Sequence, residues 1–450
     1  MTATEVTACG RCGSTALHHV VHGMPSLELF EEAQHRPDLR LAGCCVGEGD
    51  WSTECLTCGQ RRLFGASDGS MWTTATPTDT ATRVTEYAAL ARATLGMAET
   101  SAVSYAGLWL LLARLAPIAS DTHRARLVEV LGLSSDDAAA VAADLLATPH
   151  PTIAAALGAW SRVRVIAGLP VVPDELPDQA GLDRWAAANT RGLIAQFPVQ
   201  IDPETFLVFA TALVLQPRWT SELAIDDGGL LTLDDGLQTI VDTHAAGHVA
   251  VAKPFSTDGV DVVSVIAAPE VSPADAWRAV DELIAKLNNG ALWHGEHPGE
   301  ELTNGHSWTV SETTETFDEW DAPNDSDDLW RSHLPHWSGD ASSTLTEAPG
   351  VAELAASLTE VVPELAGPTS CVQAATATYD ESGFSAAAVT ALTLVTGVPS
   401  FVERTVRRVD ITFDRPHAVV AIARGGAWEG VPIFHAWVTP DMHIASTDSD

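Results

Sequence analysis

Beyond residue 83, apolar positions recur first at helical spacing and later at strand spacing. Residues 83–94 carry apolar side chains three and four apart, which predicts an amphipathic helix. Residues 103–116 are almost wholly apolar around Leu108-Trp109-Leu110-Leu111-Leu112 and predict a buried helix. A third helix is expected over 122–131, with Gly132 as its stop and the following Ser-Ser-Asp-Asp as a new N-cap. Residues 161–166 predict a strand, and residues from 182 onward a helix ended by Gly192. The run 206–215 is nearly all apolar and Pro217 closes it, so it reads as a central strand covered on both faces. Another buried strand is expected over 260–269. Ser272 as N-cap and Pro273 at the first helical position open a helix over 273–287. Residues 290–345, rich in Trp, His, Glu and Asp, have no readable period. A helix over 351–358 is followed by strands over 376–379, 406–413, 417–423 and 433–438. Helices precede strands without regular βαβ alternation, so the expected class is α+β.

One stretch resists assignment. After the strand-like Thr376–Tyr379 come Asp380, Glu381 and Gly383, then Phe384 and a small-residue run through Ala386, Ala387 and Ala388 into β-branched positions. It has enough Ala for a helix and enough Val and Thr for a strand. Such a segment beside a firm strand is either an ordinary loop or one that changes state.

The length of 450 residues suggests two units, one of them large. The 24 basic and 60 acidic residues give a net charge of −36, which disfavours nucleic acid and anionic membrane surfaces as partners. The apolar runs 106–113 and 206–215 fall well short of the ~20 residues a membrane helix needs. The first residues have neither a basic start nor an apolar stretch of an export leader, so a cytoplasmic monomer is expected.

Six of the seven cysteines fall in the first 58 residues. Cys9-Gly-Arg-Cys12-Gly and Cys55-Leu-Thr-Cys58-Gly are two matched CxxCG turns, and four thiolates so presented suit tetrahedral Zn²⁺. A structural zinc ribbon over 1–64 is expected, joined by a linker over 65–83 to a large unit over 84–450. Disulfides are the alternative, which a chain without an export leader disfavours. Such a closed Cys₄ site leaves His18, His19 and His22 outside the metal shell and offers no open catalytic position. The large unit has no nucleophile elbow, phosphate loop, dinucleotide fingerprint or HExxH helix, so no enzyme is expected.

The large unit resembles the serpin family, and four segments carry the resemblance in order. Leu182-Asp-Arg-Trp185 through Thr190, Gly192 and Ile194 is similar to a family helix. Phe206 to Trp219 is similar to the long central strand that ends in a tryptophan. Phe413-Asp-Arg-Pro416 and Ile433-Phe434 through Val438-Thr-Pro440 resemble the C-terminal signature. Residues 376–388 resemble the strand and hinge before the reactive loop, with Glu381 and Gly383 at the hinge acid and glycine. The resemblance implies a large central sheet, several helices and an exposed loop that a serine protease cleaves. The freed segment would then insert as a new strand and carry the acylated protease with it.

On that reading the hinge comprises Glu381, Gly383, Phe384, Ala386, Ala387 and Ala388. Family spacing puts the scissile bond near Thr396-Gly397-Val398, with Leu394, Phe401 and Arg404 as alternatives that imply elastase-, chymotrypsin- or trypsin-like targets. Ordering about eleven residues costs on the order of 10–20 kcal/mol and ladder hydrogen bonds return on the order of 10, so side chains help decide insertion. Phe384 departs from the family's Thr or Ser. With a pocket it adds roughly 2–3 kcal/mol of burial; without one, overpacking slows insertion. Val103-Ser104-Tyr105 and Thr211 are further departures. The alternatives are a non-inhibitory binding protein of the same fold, or a scaffold for the zinc module.

Overall fold

A computed structural model describes residues 79–444 except 97–98, 100–101, 149, 163–168, 257–258, 299–300, 319–327, 363–369 and 385–400, and before them four strand segments. The chain divides into two units, Met1–Pro77 with Ala285–His294, and Thr78–Ile284 with Gly295–Asp450. In the first, β1 (Leu17–His22), β2 (Leu39–Ala42), β3 (Trp51–Cys55) and β4 (Arg61–Leu63) form one sheet in the order β2-β1-β3-β4. Leu17 pairs with Cys55, the last residue of β3. The expected ligands Cys9, Cys12 and Cys58 lie outside the described residues.

The second unit opens with four helices: α1 (Asp79–Leu95), α2 (Tyr105–Leu115), α3 (Asp121–Leu131) and α4 (Ser135–Ala147). Ser104 caps α2 by accepting from the Gly107 amide at 3.2 Å. Only Leu111 and Arg114 of α2 escape full burial, as its apolar run requires. Gly132 stops α3 in the left-handed region at φ 71°. The N-cap expected in Ser-Ser-Asp-Asp opens α4, with Ser134 accepting from the Asp137 amide at 3.2 Å. Its buried stripe is Ala138, Ala142 and Leu145, too small a contrast with neighbouring alanines to show a period.

Then follow β5 (Ile153–Ser161), β6 (Asp174–Glu175), α5 (Gln179–Asn189) and β7 (Leu207–Leu215). Next come β8 (Ala224–Ile225), β9 (Leu231–Leu233), β10 (Gly236–Thr243), β11 (Gly247–Pro254), β12 (Val260–Ile266) and α6 (Pro273–Asn288). The unread segment resolves into β13 (Trp308–Asp318), β14 (Asp328–Leu334) and β15 (Trp337–Thr344). The chain ends with α7 (Val351–Val361), β16 (Val372–Tyr379), β17 (Phe401–Thr412), β18 (His417–Ala423) and β19 (Pro432–Val438).

The strands of this unit form four sheets, ordered β10-β11-β12-β18-β19, β13-β17-β14-β9-β8, β15-β16 and β6-β5-β7. Every residue of β18 and β19 is buried, and α2 packs against β19 and β7. Two expectations change in detail. The strand expected within 152–166 is seen over Ile153–Ser161, where alanines rather than β-branched residues pair along β7, and residues 163–168 lie outside the described residues. The strand at 206–215 is not covered throughout: of β7 only Val208, Ala212, Val214 and Leu215 are buried. Its partner among the described residues is β5, so it has one open edge, and the expected large sheet is divided into a three-stranded and a two-stranded part.

Two histidines are buried in the sheet that contains β18 and β19. His417 donates from Nδ1 to the Arg415 carbonyl at 3.0 Å and its Nε2 has no partner. Burial pushes its pKa down to about 4. His435 lies between Tyr105 and Trp277, with ring centroids 5.2 and 5.6 Å away, and burial holds it well below the usual range. Both stay neutral in the fold. Above the unfolded value of ~6.5 they cost nothing. As pH falls toward about 4, the unfolded chain takes up protons that the folded chain refuses, so stability is lost across that window. Replacing His417 by Phe should shrink the stability loss between pH 6.5 and 4 by about 3 kcal/mol. Urea unfolding at the two pH values measures this, and an unchanged pH dependence would exclude His417 as a contributing group.

Candidate functional site: a slot between two open strand edges

A cleft of about 760 Å³ runs between β7 and the first half of β16. All nine residues of β7, Leu207 to Leu215, line one side, and 370–376 line the other. Leu108, Leu111, Leu112 and Leu115 of α2 give it an apolar wall, continued by Val351, Leu354 and Leu358 of α7. Trp185 and Ala186 of α5, with Leu193, Ile194 and Phe197 beyond it, also line the cleft. β7 pairs with β5, and β16 pairs with β15 over eight residues, so each strand uses one edge and presents the other to the cleft. Successive residues of a strand direct backbone groups to opposite edges, so about half the N–H and C=O groups of each strand point into this space.

Both lips are fastened to the N-terminus of α2. On β7, Thr211 donates to the Gly107 carbonyl at 2.9 Å. On β16, the amide of Gln373 accepts from the Ser104 N–H at 2.7 Å and donates to the Ser104 carbonyl at 2.9 Å. One helix turn therefore fixes the separation of the two edges. The only cysteine outside the N-terminal module, Cys371, lines the cleft, and burial pushes its thiol up to about 11.

At the mouth the chain leaves β16 through a tight turn. Asp380 accepts through Oδ1 from the Ser382 amide (2.8 Å), the Ser382 hydroxyl (2.8 Å) and the Gly383 amide (2.9 Å). The Trp219 indole donates to the Asp380 carbonyl at 2.9 Å, and the Trp219 and Leu223 amides donate to the carbonyls of Ser382 and Glu381. Gly383 forms an antiparallel bridge with Arg218, and Phe384 forms another with Tyr379. The Phe384 amide donates to the Pro217 carbonyl at 3.0 Å. Residue 383 must be glycine, because a Cβ would lie 2.5 Å from the Pro217 oxygen. Residues 383–384 thus run antiparallel to the end of β16 and to Arg218, three residues beyond β7.

Phe384 is 2% exposed. Its ring meets Trp337, Tyr379 and Phe434 edge-on, at centroid distances of 6.0, 6.3 and 5.7 Å. Trp219 lies 5.1 Å from Tyr379, which stacks at 6.3 Å on Trp337. This box is the pocket on which the effect of a phenylalanine depends, and it is built from residues far apart in sequence. Trp219 was legible from its place after an apolar run. Phe434 was legible as part of the C-terminal signature and Asp380 as part of an acidic pair, but not as members of a box and a turn; Trp337 and Gln373 carry no local signal.

The expected positions Ala386, Ala387, Ala388, Leu394, Thr396, Gly397 and Val398 lie outside the described residues. Phe401 and Arg404 belong to β17 and pair with Asp318 and Glu315 of β13. A protease binds its substrate as a free extended segment, so the bonds at 401 and 404 are closed to one while that pairing holds. Among the described residues, no group of three His, Cys, Asp or Glu side chains is arranged to hold a metal ion, and no helix is long and apolar enough to cross a membrane.

No family model matches the chain, and no curated protein matches its sequence. Solved structures do match. Human glycosylated kallistatin aligns at TM-score 0.52 and 14% identity, over 80% of this chain and 96% of that one. Tengpin, a thermophilic serpin in the native state, aligns at 0.51 and 16% identity, over 79% and 93%. Human thyroxine-binding globulin in complex with thyroxine aligns at 0.53 and 12% identity, over 80% and 97%. What these proteins share with this chain is architecture: it carries the serpin fold.

Truncating Phe384 to Ala should cost about 3–5 kcal/mol, because the box leaves a cavity, whereas Phe384→Leu should cost less than about 1.5. Equilibrium urea unfolding of the intact protein measures both. A loss below about 1 kcal/mol for the alanine variant would mean that the box is not packed around this ring.

Proposed function

We propose that the chain is a suicide-substrate inhibitor of serine proteases that acts by strand insertion. One observation carries this reading. Among the described residues a cleft lies between edges of β7 and β16 that have no strand partner, and at its mouth Gly383 bridges Arg218, three residues beyond β7, while Phe384 bridges Tyr379, the last residue of β16. The protease serine attacks a carbonyl within 385–400. The peptide C–N bond breaks, the new amine takes the proton and stays on the chain leading into β17, and the segment following Phe384 becomes an acyl ester. That segment zips into the slot, its N–H and C=O groups completing ladders on β7 and β16, and carries the esterified protease away from the mouth before water can attack.

Phe384 assists in this reading. A hinge that must nucleate a strand pays for its first rung before any ladder is gained; here that rung exists, and the aromatic box holds it. Ala386 and Ala388, on the same face as Phe384, are small enough to pass the Leu-lined wall. The alternative, a binding protein of the same fold with a static loop, is motivated by the same tight packing of Phe384. The two readings differ in the melting temperature after loop cleavage.

The test is to expose the protein to a panel of serine proteases. An SDS-resistant complex of protease and chain is expected with at least one. Cleavage within 385–400 should raise the melting temperature by tens of degrees. Cleavage with no rise sinks the insertion reading; a rise without any covalent complex leaves insertion too slow to inhibit.

For the N-terminal module we propose that Cys9, Cys12, Cys55 and Cys58 hold one structural Zn²⁺. Support comes from the spacing of the two CxxCG turns and from the one described residue among the four, Cys55, which pairs with Leu17, five residues after Cys12 in the sequence. Metal analysis of the full-length protein should find one zinc per chain, lost in Cys9→Ser/Cys58→Ser without a change in the melting of the larger unit. No zinc in protein purified without chelator would refute the assignment.

A further inference from the structure

Away from the slot, a cavity of about 370 Å³ lies beside β5, between Leu157–Ala159 and Pro170–Val172. The sequence explains why it is there. β5 pairs with β7 along its whole length, but with β6 only at Trp160↔Asp174 and Ser161↔Glu175. Just before β6 the chain reads Pro170-Val171-Val172-Pro173. Each proline lacks the N–H that a ladder needs, so this stretch passes β5 without pairing, and Val172 is 91% exposed. Among the described residues, the edge of β5 at Leu157–Ala159 therefore has no strand partner, and the backbone groups on that edge open to the cavity.

Two side chains of opposite charge stand at this space. Arg114, in the last turn of α2, donates from Nη2 to the Pro170 carbonyl at 2.9 Å and has no carboxylate partner among the described residues. In a chain of 60 acidic and 24 basic residues, a half-buried arginine left without an acid is unusual. Its remaining N–H groups keep the fork that grips a carboxylate in two places. Asp174 is exposed and has no hydrogen-bond or ion-pair partner among the described residues. Its place opposite Trp160 in a parallel pair puts both on one face of the sheet.

The apolar part is a pair of tryptophans. Trp160 and Trp185 meet edge to face, with ring centroids 5.0 Å apart and planes at 88°. Gly158 makes this possible, because the Trp160 ring lies back over it and a Cβ at 158 would collide with that ring. The two rings form a corner at the cavity, a geometry that suits a third aromatic group.

We propose that this cavity binds a free α-amino acid with an aromatic side chain. The carboxylate meets Arg114, the ammonium meets Asp174 and the carbonyl groups of the open β5 edge, and the ring enters the tryptophan corner. An anion alone would be opposed by Asp174, and a cation alone by Arg114. A molecule with both charges satisfies both. The volume lies at the small end of the range of about 300–1,000 Å³ for ligand pockets, as a single amino acid requires. Trp185 also lines the slot, but this site does not depend on strand insertion.

Ligand-observed NMR titration of the full-length protein in about 0.15 M salt tests this. L-Phenylalanine is the probe. Hydrocinnamate lacks its ammonium and phenethylamine lacks its carboxylate. A Kd of about 0.1–1 mM is expected for phenylalanine, with each of the other two bound at least tenfold more weakly. Arg114→Gln, whose amide can still donate to the Pro170 carbonyl, should weaken phenylalanine at least tenfold and abolish hydrocinnamate binding, with phenethylamine unchanged. Asp174→Asn should weaken phenylalanine and abolish phenethylamine binding, with hydrocinnamate unchanged. Poor folding would remove all three together and cannot produce this crossed pattern. The comparison of the three probes on the unsubstituted protein needs no variant at all. No saturable binding of phenylalanine, equal affinity for the three probes, or phenylalanine binding that both variants leave intact overturns the proposal.

Discussion

Two strand edges that face each other without pairing are the constraint on which this structure turns. Backbone N–H and C=O groups shut away from both water and partners cost free energy, so a fold ordinarily closes such edges. Here the edges of β7 and β16 stay apart because each is fastened elsewhere. Thr211 and Gln373 tie them to the first turn of α2, and Ser104 and Gly107 supply the backbone groups that receive those ties. Leucines of α2 and α7 line the space so that a strand entering it would find an apolar surface. The division of the expected central sheet into a three-stranded and a two-stranded part follows from this arrangement.

Phe384 gains its meaning from the same constraint. A threonine or serine at the mouth can slide, but it gives the first rung little to hold. A phenylalanine in a box of Trp337, Tyr379 and Phe434 fixes the rung in place through buried area and edge-on ring contacts. The Asp380 turn and the close approach of Gly383 to Pro217 leave the backbone little alternative path. On the proposed insertion reading, the first rung of the new strand is present before cleavage, and what remains is propagation, in which each added residue would gain ladder bonds on two sides.

Much of this was legible because it depends on local contrast. The apolar run of α2, the Ser272-Pro273 start of α6 and the alternation into Tyr379 all announce themselves within a few residues. The fold family was readable from four short segments in order, none of which needed tertiary information. What escaped depends on partners distant in sequence. The run at 206–215 looks like a covered central strand because composition registers apolarity, not whether an edge has been paired. The course of α4 after its cap hides in a stretch of alanines that offers no contrast. The box around Phe384 joins residues from three separate strands, and β13, built largely of Thr, Ser and Glu, has the composition of a solvated loop.

That composition serves a purpose once β13 is a strand. By covering β17 it becomes the new edge of its sheet, with Thr309, Ser311, Glu312, Thr314 and Thr316 exposed. An edge of apolar residues would invite another chain to continue the ladder; short hydroxyls and acidic groups do not. The same argument extends to the slot. A molecule with open edges accepts any extended strand of the right length, including one from a second copy, and mutual insertion would consume both. Copies that each carry a net charge of −36 repel at a distance, which slows such encounters; on the proposed insertion reading, that repulsion would help reserve the slot for the chain's own segment.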